Sequence, residues 1–306
     1  MATIPSSEST CGPARSGSPS TLVERSPVPL AVWPAAQTSS PHQRTGRYLS
    51  ASFAHPGKML PALARRIIET YSTPGQLVVD PMCGIGTTLV EGAELGRRCL
   101  GVDIEERWAT LARANLDHAL PPEQRPLAEV RLGDARRLSE LLADVAGTVD
   151  LIATSPPYAC AVGTVDKSAW LAGRSLCDRA SLNYSADRAN IGYARDEAYL
   201  EEMAEVYAAC HAVLRPGGLL VTVTKNLRRK GRCLDLGAAT VTLAQQAGFS
   251  YLQHVIALLC AVRGSELVAR PSFWQLTQNR KARAKGLPAH LVVHEDVLVF
   301  GGGARG

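Results

Sequence analysis

The stretch "QLVVDPMCGIGTTLVEGAELGRRCLGVDI", Gln76 to Ile104, decides the fold class. "LVVD" is a short apolar run stopped by Pro81, which reads as a buried strand rather than a helix. "PMCGIG" follows as a tight loop. "TTLVEGAELG" has threonines at its start and Gly96 near its end, the pattern of a short helix. "RCLGVDI" is a second apolar strand, ending in Asp103. A strand, a helix and a second strand joined this tightly predict parallel strands with a crossover helix.

Working outward, the alternation continues. "EERWATLARANLDHAL" predicts a helix, "AEVRLGDA" a third strand ending at Asp134, and "VDLIAT" a fourth ending at Ser155. "EAYLEEMAEVYAACHAVL" is an amphipathic helix, "RPGG" a turn and "LLVTVT" a fifth strand. "DLGAATVTLAQQAG" is a further helix, and "FSYLQHVIALLCAV" and "HEDVLVFGG" are the last two strands. Upstream, Met59, Leu60, Leu63, Ile67 and Ile68 recur at helical spacing. The expectation is an α/β, Rossmann-like fold: a mostly parallel seven-stranded sheet with helices on both faces.

Residues 1–45 are rich in Ser, Pro and Thr and show no periodicity, so they are expected to form a disordered tail. Residues 46–306 are expected to form one domain. Its alternation is interrupted by a polar insertion at about 159–197, long enough to be a lid or a recognition element.

The chain has 306 residues, 46% of them hydrophobic and 20% charged, which supplies a substantial core. A formal net charge of +5 is compatible with a nucleic-acid partner without demanding one. No apolar run could span a bilayer. The N-terminus lacks a charged start followed by an apolar run, so no secretory signal is expected. The eight cysteines form no CxxC pair. That suits a reducing cytoplasm better than a disulfide framework or a metal site.

In an open α/β sheet, ligands bind beyond the carboxyl ends of the strands. Four predicted strands end there on polar groups. Asp80 leads into the loop of Gly84 and Gly86, then Thr87 and Thr88, and glycine lets backbone approach a ligand closely. No lysine follows Gly86, which excludes a P-loop, and the third glycine of the dinucleotide fingerprint is missing. The helix start favours a carboxylate. Asp103 can accept both hydroxyls of a ribose or cap the following helix. Asp134 can receive an adenine amino group or serve as a cap. Such a site suits a nucleoside with a carboxylate tail, and S-adenosyl-L-methionine is such a molecule.

"DPMCGIGTT", "GVDI", "GDA" and "TSPPY" in this order resemble the exocyclic-amino methyltransferases, the DNA family acting on cytosine N4 or adenine N6. "HPGKM", His55 to Met59, resembles the segment that this family places over the methionine end of the cofactor. The resemblance covers roughly residues 53–224. It implies S-adenosyl-L-methionine as cofactor and transfer to an exocyclic amine of DNA, most often cytosine N4 for the serine form of the motif. It implies catalytic roles for Ser155, Pro156, Pro157 and Tyr158. The Ser155 side chain and the Pro156 carbonyl would hold the amine, and Tyr158 would stack on the base. Lys58, Asp80, Cys83, Gly84, Gly86, Thr87, Thr88, Asp103, Ile104, Asp134 and Ala135 would surround the cofactor. No metal is implied. The family includes enzymes of restriction–modification, though the sequence names no restriction partner.

A tRNA guanine-N2 methyltransferase is the alternative, because some carry a similar glycine loop and an [ND]-P-P-Y motif. A non-catalytic cofactor-binding or DNA-binding module is a third reading. Aromatic and basic residues of the insertion, with the Arg270–Lys285 segment and "KNLRRKGR", are the candidate nucleic-acid contacts.

Overall fold

The computed structural model describes residues 28–157, 189–191, 197–229, 232–271 and 273–303. The strands are β1 (Val32–Pro34), β2 (Leu77–Asp80), β3 (Arg98–Asp103), β4 (Ala128–Leu132), β5 (Val149–Thr154) and β6 (Leu214–Thr224). They continue with β7 (Leu227–Arg229), β8 (Arg232–Leu234), β9 (Phe249–Leu258), β10 (Cys260–Arg263), β11 (Glu266–Ala269) and β12 (His294–Gly302). The helices are α1 (Ser40–Arg44), α2 (Pro61–Tyr71), α3 (Thr87–Glu94), α4 (Glu106–Ala119) and α5 (Leu138–Leu141). Beyond the insertion come α6 (Glu197–Val213), α7 (Leu236–Gln246) and α8 (Phe273–Ala284).

Eight strands form the main sheet, in the order β1-β9-β12-β6-β5-β2-β3-β4. The pairs β2/β3, β3/β4, β2/β5, β5/β6 and β1/β9 are parallel, and β12 runs antiparallel to both β6 and β9. The sequence-based expectation of a mostly parallel Rossmann-like sheet therefore holds, with one strand more than the seven expected. From β2 the chain proceeds outward through β3 and β4, then returns to the other side of β2 to lay down β5 and β6. The strand order thus reverses between β2 and β5. A crevice opens at the carboxyl ends of the strands flanking such a reversal.

The sheet splits the core in two. One half packs α2, α3 and α4 through Leu63, Ile67, Leu89 and Leu116 against Val78, Leu151, Val221 and Val297. The other packs α5, α6 and α7 through Leu138, Met203, Val206 and Ala244 against Val79, Ile152, Leu220 and Leu298. Strand residues alternate between the two halves because successive side chains point to opposite faces. The apolar period of α2 is satisfied as read, with Leu63, Ala64, Ile67 and Ile68 buried. Asp235 caps α7 by accepting from the Ala238 backbone N–H at 3.0 Å.

Three expectations change. The disordered tail does not extend to residue 45, because Val32–Pro34 pairs with Ile256–Leu258 as an edge strand and Trp33 is buried. α1 follows within the same stretch, capped by Ser39 with a proline in its first turn. The penultimate strand ends at Leu258, and Cys260–Ala269 turns back on itself as a separate hairpin. The basic segment after Arg270 contains α8, and "KNLRRKGR" contains the β7/β8 hairpin. Neither had a hydrophobic period that would mark it in the sequence.

Candidate functional site

The glycine loop lies at the reversal of strand order. Gly84 and Gly86 both adopt left-handed backbone, with φ of 52° and 80°, and Gly86 is the N-cap of α3. A side chain at Gly84 would meet His55 Nε2 at 3.1 Å, so the loop is pressed against the "HPGKM" segment. His55 packs edge-on to Trp108 at 4.5 Å, and burial, aided by the Lys58 charge, takes its pKa down to about 3. A neutral imidazole therefore backs the loop. Lys58 donates to the carbonyls of Phe53 and His55, which ties that turn together.

The carboxylates at the strand ends organise this loop. Asp80 accepts from Thr88 Oγ1 at 2.7 Å and from the Met82 N–H at 3.2 Å. Asp103 accepts from the Gly84 N–H at 2.8 Å and from the Glu105 N–H at 2.9 Å. Burial raises the pKa of each to about 6, against these hydrogen bonds. Asp103 is thus both a brace for the loop and the N-terminal anchor of α4. Each carboxylate oxygen accepts one bond and retains further acceptor capacity. Asp134 accepts from the backbone N–H of Arg136 at 2.9 Å and pairs with its guanidinium. Burial opposes its ionisation, but the Arg136 hydrogen bonds outweigh it and hold the carboxyl below its usual value.

A cleft joins these ends. Its lining includes Met82, Asp103, Ile104, Asp134, Ala135 and Pro157. Asp80, Cys83 and Thr88 lie beneath the loop instead, fully or almost fully buried, where they position it rather than line the cleft. Pro157 brings the turn after β5 to the cleft, with Ser155 half-buried and Pro156 buried just before it. Tyr158 lies outside the described residues, as do Trp170, Tyr184, Tyr193 and the basic residues Lys167, Arg174, Arg179, Arg188 and Arg195 of the insertion.

Sequence reasoning missed Glu105, Arg136 and Asn190. Asn190 Nδ2 donates to Glu105 Oε1 at 3.0 Å, and Arg136 donates to the Ala189 carbonyl at 3.1 Å. Together they fasten the far end of the insertion over the cleft, where Ala189, Asn190 and Ile191 complete the lining. Contacts spanning 53 and 85 residues carry no local signal. Arg136, two residues past Asp134, was the one member visible as a charged neighbour of a chosen residue.

The family model described as "DNA methylase" matches residues 7–114. The chain is 33% identical over 151 residues to a tRNA (guanine(10)-N2)-dimethyltransferase of Methanothermobacter thermautotrophicus, covering 48% of this chain and 42% of the relative. It is 33% identical over 106 residues to the DNA adenine methyltransferase YhdJ of Escherichia coli, covering 32% of this chain and 36% of that one. The chain spans less than half the length of these curated relatives. Among solved structures, TrmN from Thermus thermophilus shares 17% identity at a TM-score of 0.45, over 82% of this chain and 51% of its own.

The site fits S-adenosyl-L-methionine by its donor set. The first-turn N–H groups of α3 have no intrahelical acceptor, and Thr87 Oγ1 is buried beside them with no hydrogen-bond partner among the described residues. A carboxylate answers both. Asp103 and Asp134 face the same cleft with acceptor oxygens, as hydroxyls and an amine require. Over residues 7–114 the chain is similar to the DNA methylase family, and the cofactor that its site fits is S-adenosyl-L-methionine.

Proposed function

We propose that the protein transfers a methyl group to an exocyclic amino nitrogen of a nucleic-acid base, most favourably cytosine N4 of DNA. One observation carries this reading: Pro157, two residues past Ser155, lines one cleft with Asp103 and Asp134, beside the reversal of strand order. The amine acceptors then stand just behind the wall of the nucleoside-binding cleft.

The cofactor supplies an electrophilic sulfonium methyl. The protein's work is orientation and charge. An exocyclic amine is a poor nucleophile because its lone pair is delocalised into the ring. Ser155 Oγ and the Pro156 carbonyl, as acceptors, hold its two hydrogens and favour the tetrahedral nitrogen on which positive charge develops. The methyl would leave a neutral thioether behind, and the methylated nitrogen would then give up one proton to water. Prolines at 156 and 157 carry no N–H, so they restrain the turn without adding competing donors. Thr87 and the start of α3 hold the carboxylate end of the cofactor, Asp103 the ribose and Asp134 the adenine amine. Asp134 shares that duty with Arg136. Asp80, Cys83, Gly84, Gly86 and Thr88 shape the loop, with Ile104 and Ala135 as apolar walls. Tyr158 is assigned to stacking on a base turned out of its helix.

The DNA reading is supported by the family description, by the serine in "SPPY" and by a DNA adenine methyltransferase among the relatives. α8 and the turn after it add exposed Arg280, Lys281, Arg283 and Lys285, suited to phosphates. A tRNA guanine-N2 methyltransferase is the second reading, favoured by the longer alignments to archaeal enzymes so named. Labelled S-adenosyl-L-methionine offered with unmethylated genomic DNA and unmodified tRNA in parallel, followed by nucleoside mass analysis, separates them. N4-methylcytosine or N6-methyladenine in DNA supports the first reading. Methylated guanosine in tRNA with DNA untouched supports the second, and no product in either polymer sinks both.

A further inference from the structure

The carboxyl edge of β6 carries a cation that the proposed reaction has not used. β6 lies beside β5 in parallel register, with Ala153 opposite Val221 and Thr154 opposite Thr222. Leu151, Ala153, Val221 and Val223 all face the same half of the core. Alternation carries that face on to Ser155 and to Lys225, the first residue past β6. With strands about 4.8 Å apart and a rise of about 3.3 Å per residue, the two Cα atoms lie roughly 8 Å apart. An extended lysine spans most of that distance.

Lys225 is 5% exposed, and its ammonium forms no hydrogen bond or ion pair with another described residue. Burial pushes it toward its neutral form, while the charges of Glu295 and Asp296 oppose that shift. Asp296 is itself engaged by His254 Nε2 at 2.9 Å. A cation with so little exposure and no close partner is one that a ligand engages by supplying an acceptor.

We infer that Lys225 reads the target base, its ammonium donating to the ring acceptor beside the amine held by Ser155 and Pro156. The inference rests on the proposed amino-methyl transfer. It names a base edge: the amines of cytosine and adenine neighbour an unprotonated ring nitrogen, whereas the guanine amine also neighbours an N1–H donor. A lysine donor matches the first two and meets one unfavourable contact in the third. Lys225 is thus a specificity residue on the strand next to the catalytic turn.

The test begins with the nucleic acid that the wild-type protein methylates; a wild type inactive on every polymer fails the underlying reading before any variant is made. Lys225→Met should lower kcat/KM by about tenfold or more. Its cofactor affinity by calorimetry should stay within twofold, and its melting temperature should hold or rise as the buried charge is removed. Lys225→Arg, which keeps a cationic donor, should recover part of the loss. On a substrate whose target base has that ring nitrogen replaced by C–H, the wild type should lose a similar factor and Lys225→Met should lose no more. Transfer by Lys225→Met within twofold of wild type would overturn the inference. So would losses from the variant and the altered base that simply add, or a lowered melting temperature with weakened cofactor binding.

Discussion

Ser155 sits one residue past β5, where the strand's last carbonyl and hydroxyl are released from the ladder by two prolines that cannot extend it. Its position makes a sharp prediction. In the proposed reaction Ser155→Ala removes an acceptor that matters only as the amine gains charge, so methyl transfer should fall by roughly 10²–10³-fold, with cofactor affinity within twofold by calorimetry. Equal losses in both would move Ser155 from the amine to the cofactor. Asp80 shows the opposite kind of residue, buried and acting through its neighbours. Because its pKa is raised to about 6 from 3.8, the fold favours the protonated acid. Its stabilising contribution is complete below about pH 4 and is lost as pH rises through 6. The linkage amounts to about 3 kcal/mol. Asp80→Asn lacks this titration. Urea melts at pH 4.5, 5.5 and 7 should show the variant gaining on the wild type as pH rises. A constant difference across that range would mean Asp80 is ionised throughout.

The loop between β2 and α3 is the element on which the site turns, and its spacing made it legible. Two glycines at left-handed φ, a polar strand end and threonines at the helix start are all local features. What presses on the loop was not legible, because His55 reaches Gly84 across 29 residues of chain and no period encodes that meeting. Gly84→Ala tests the fit. Alanine at φ of 52° costs roughly 1–2 kcal/mol. Its Cβ at 3.1 Å from Nε2 would also push on a ring already pinned against Trp108. His55 is 3% exposed and cannot retreat into solvent. The variant should melt lower and bind the cofactor at least about tenfold more weakly. Unchanged affinity would mean that the loop backbone does not approach the ligand. The fastening of the insertion by Arg136, Glu105 and Asn190 was hidden for the same reason as His55, since long-range polar pairs leave no mark on neighbouring residues.

Across the molecule, the strands β2 to β6 and their parallel sheet were legible from alternation, because each strand there is an apolar run between helix signals, whereas their order was not. The exception is the N-terminal edge, where a three-residue strand in a Ser/Pro-rich setting offers too short a run to register. Its contribution comes from long-range contacts. Trp33 is buried beside Tyr71, with the Arg66 guanidinium 5.5 Å from its ring centroid. Fully buried Arg44 donates to the Met59 carbonyl at 2.6 Å, the last residue of "HPGKM". Tyr48 and Arg47 then engage Glu91 on α3 at 3.1 and 2.8 Å. Residues 32–59 thus form a strap from β9, over the glycine loop, to α3. A chain beginning at residue 46 keeps Tyr48 and His55 but loses β1 and Arg44. It should melt well below the full chain and bind S-adenosyl-L-methionine more weakly, because the segment backing Gly84 is no longer held at Met59. Trp33→Ala separates the two effects. Loss of a large buried aromatic should cost about 3 kcal/mol or more of stability, while Arg44 still fixes Met59 and cofactor affinity stays near that of the full chain. If the shortened chain melts with the full one, the edge strand contributes nothing to the fold and the strap begins at Tyr48.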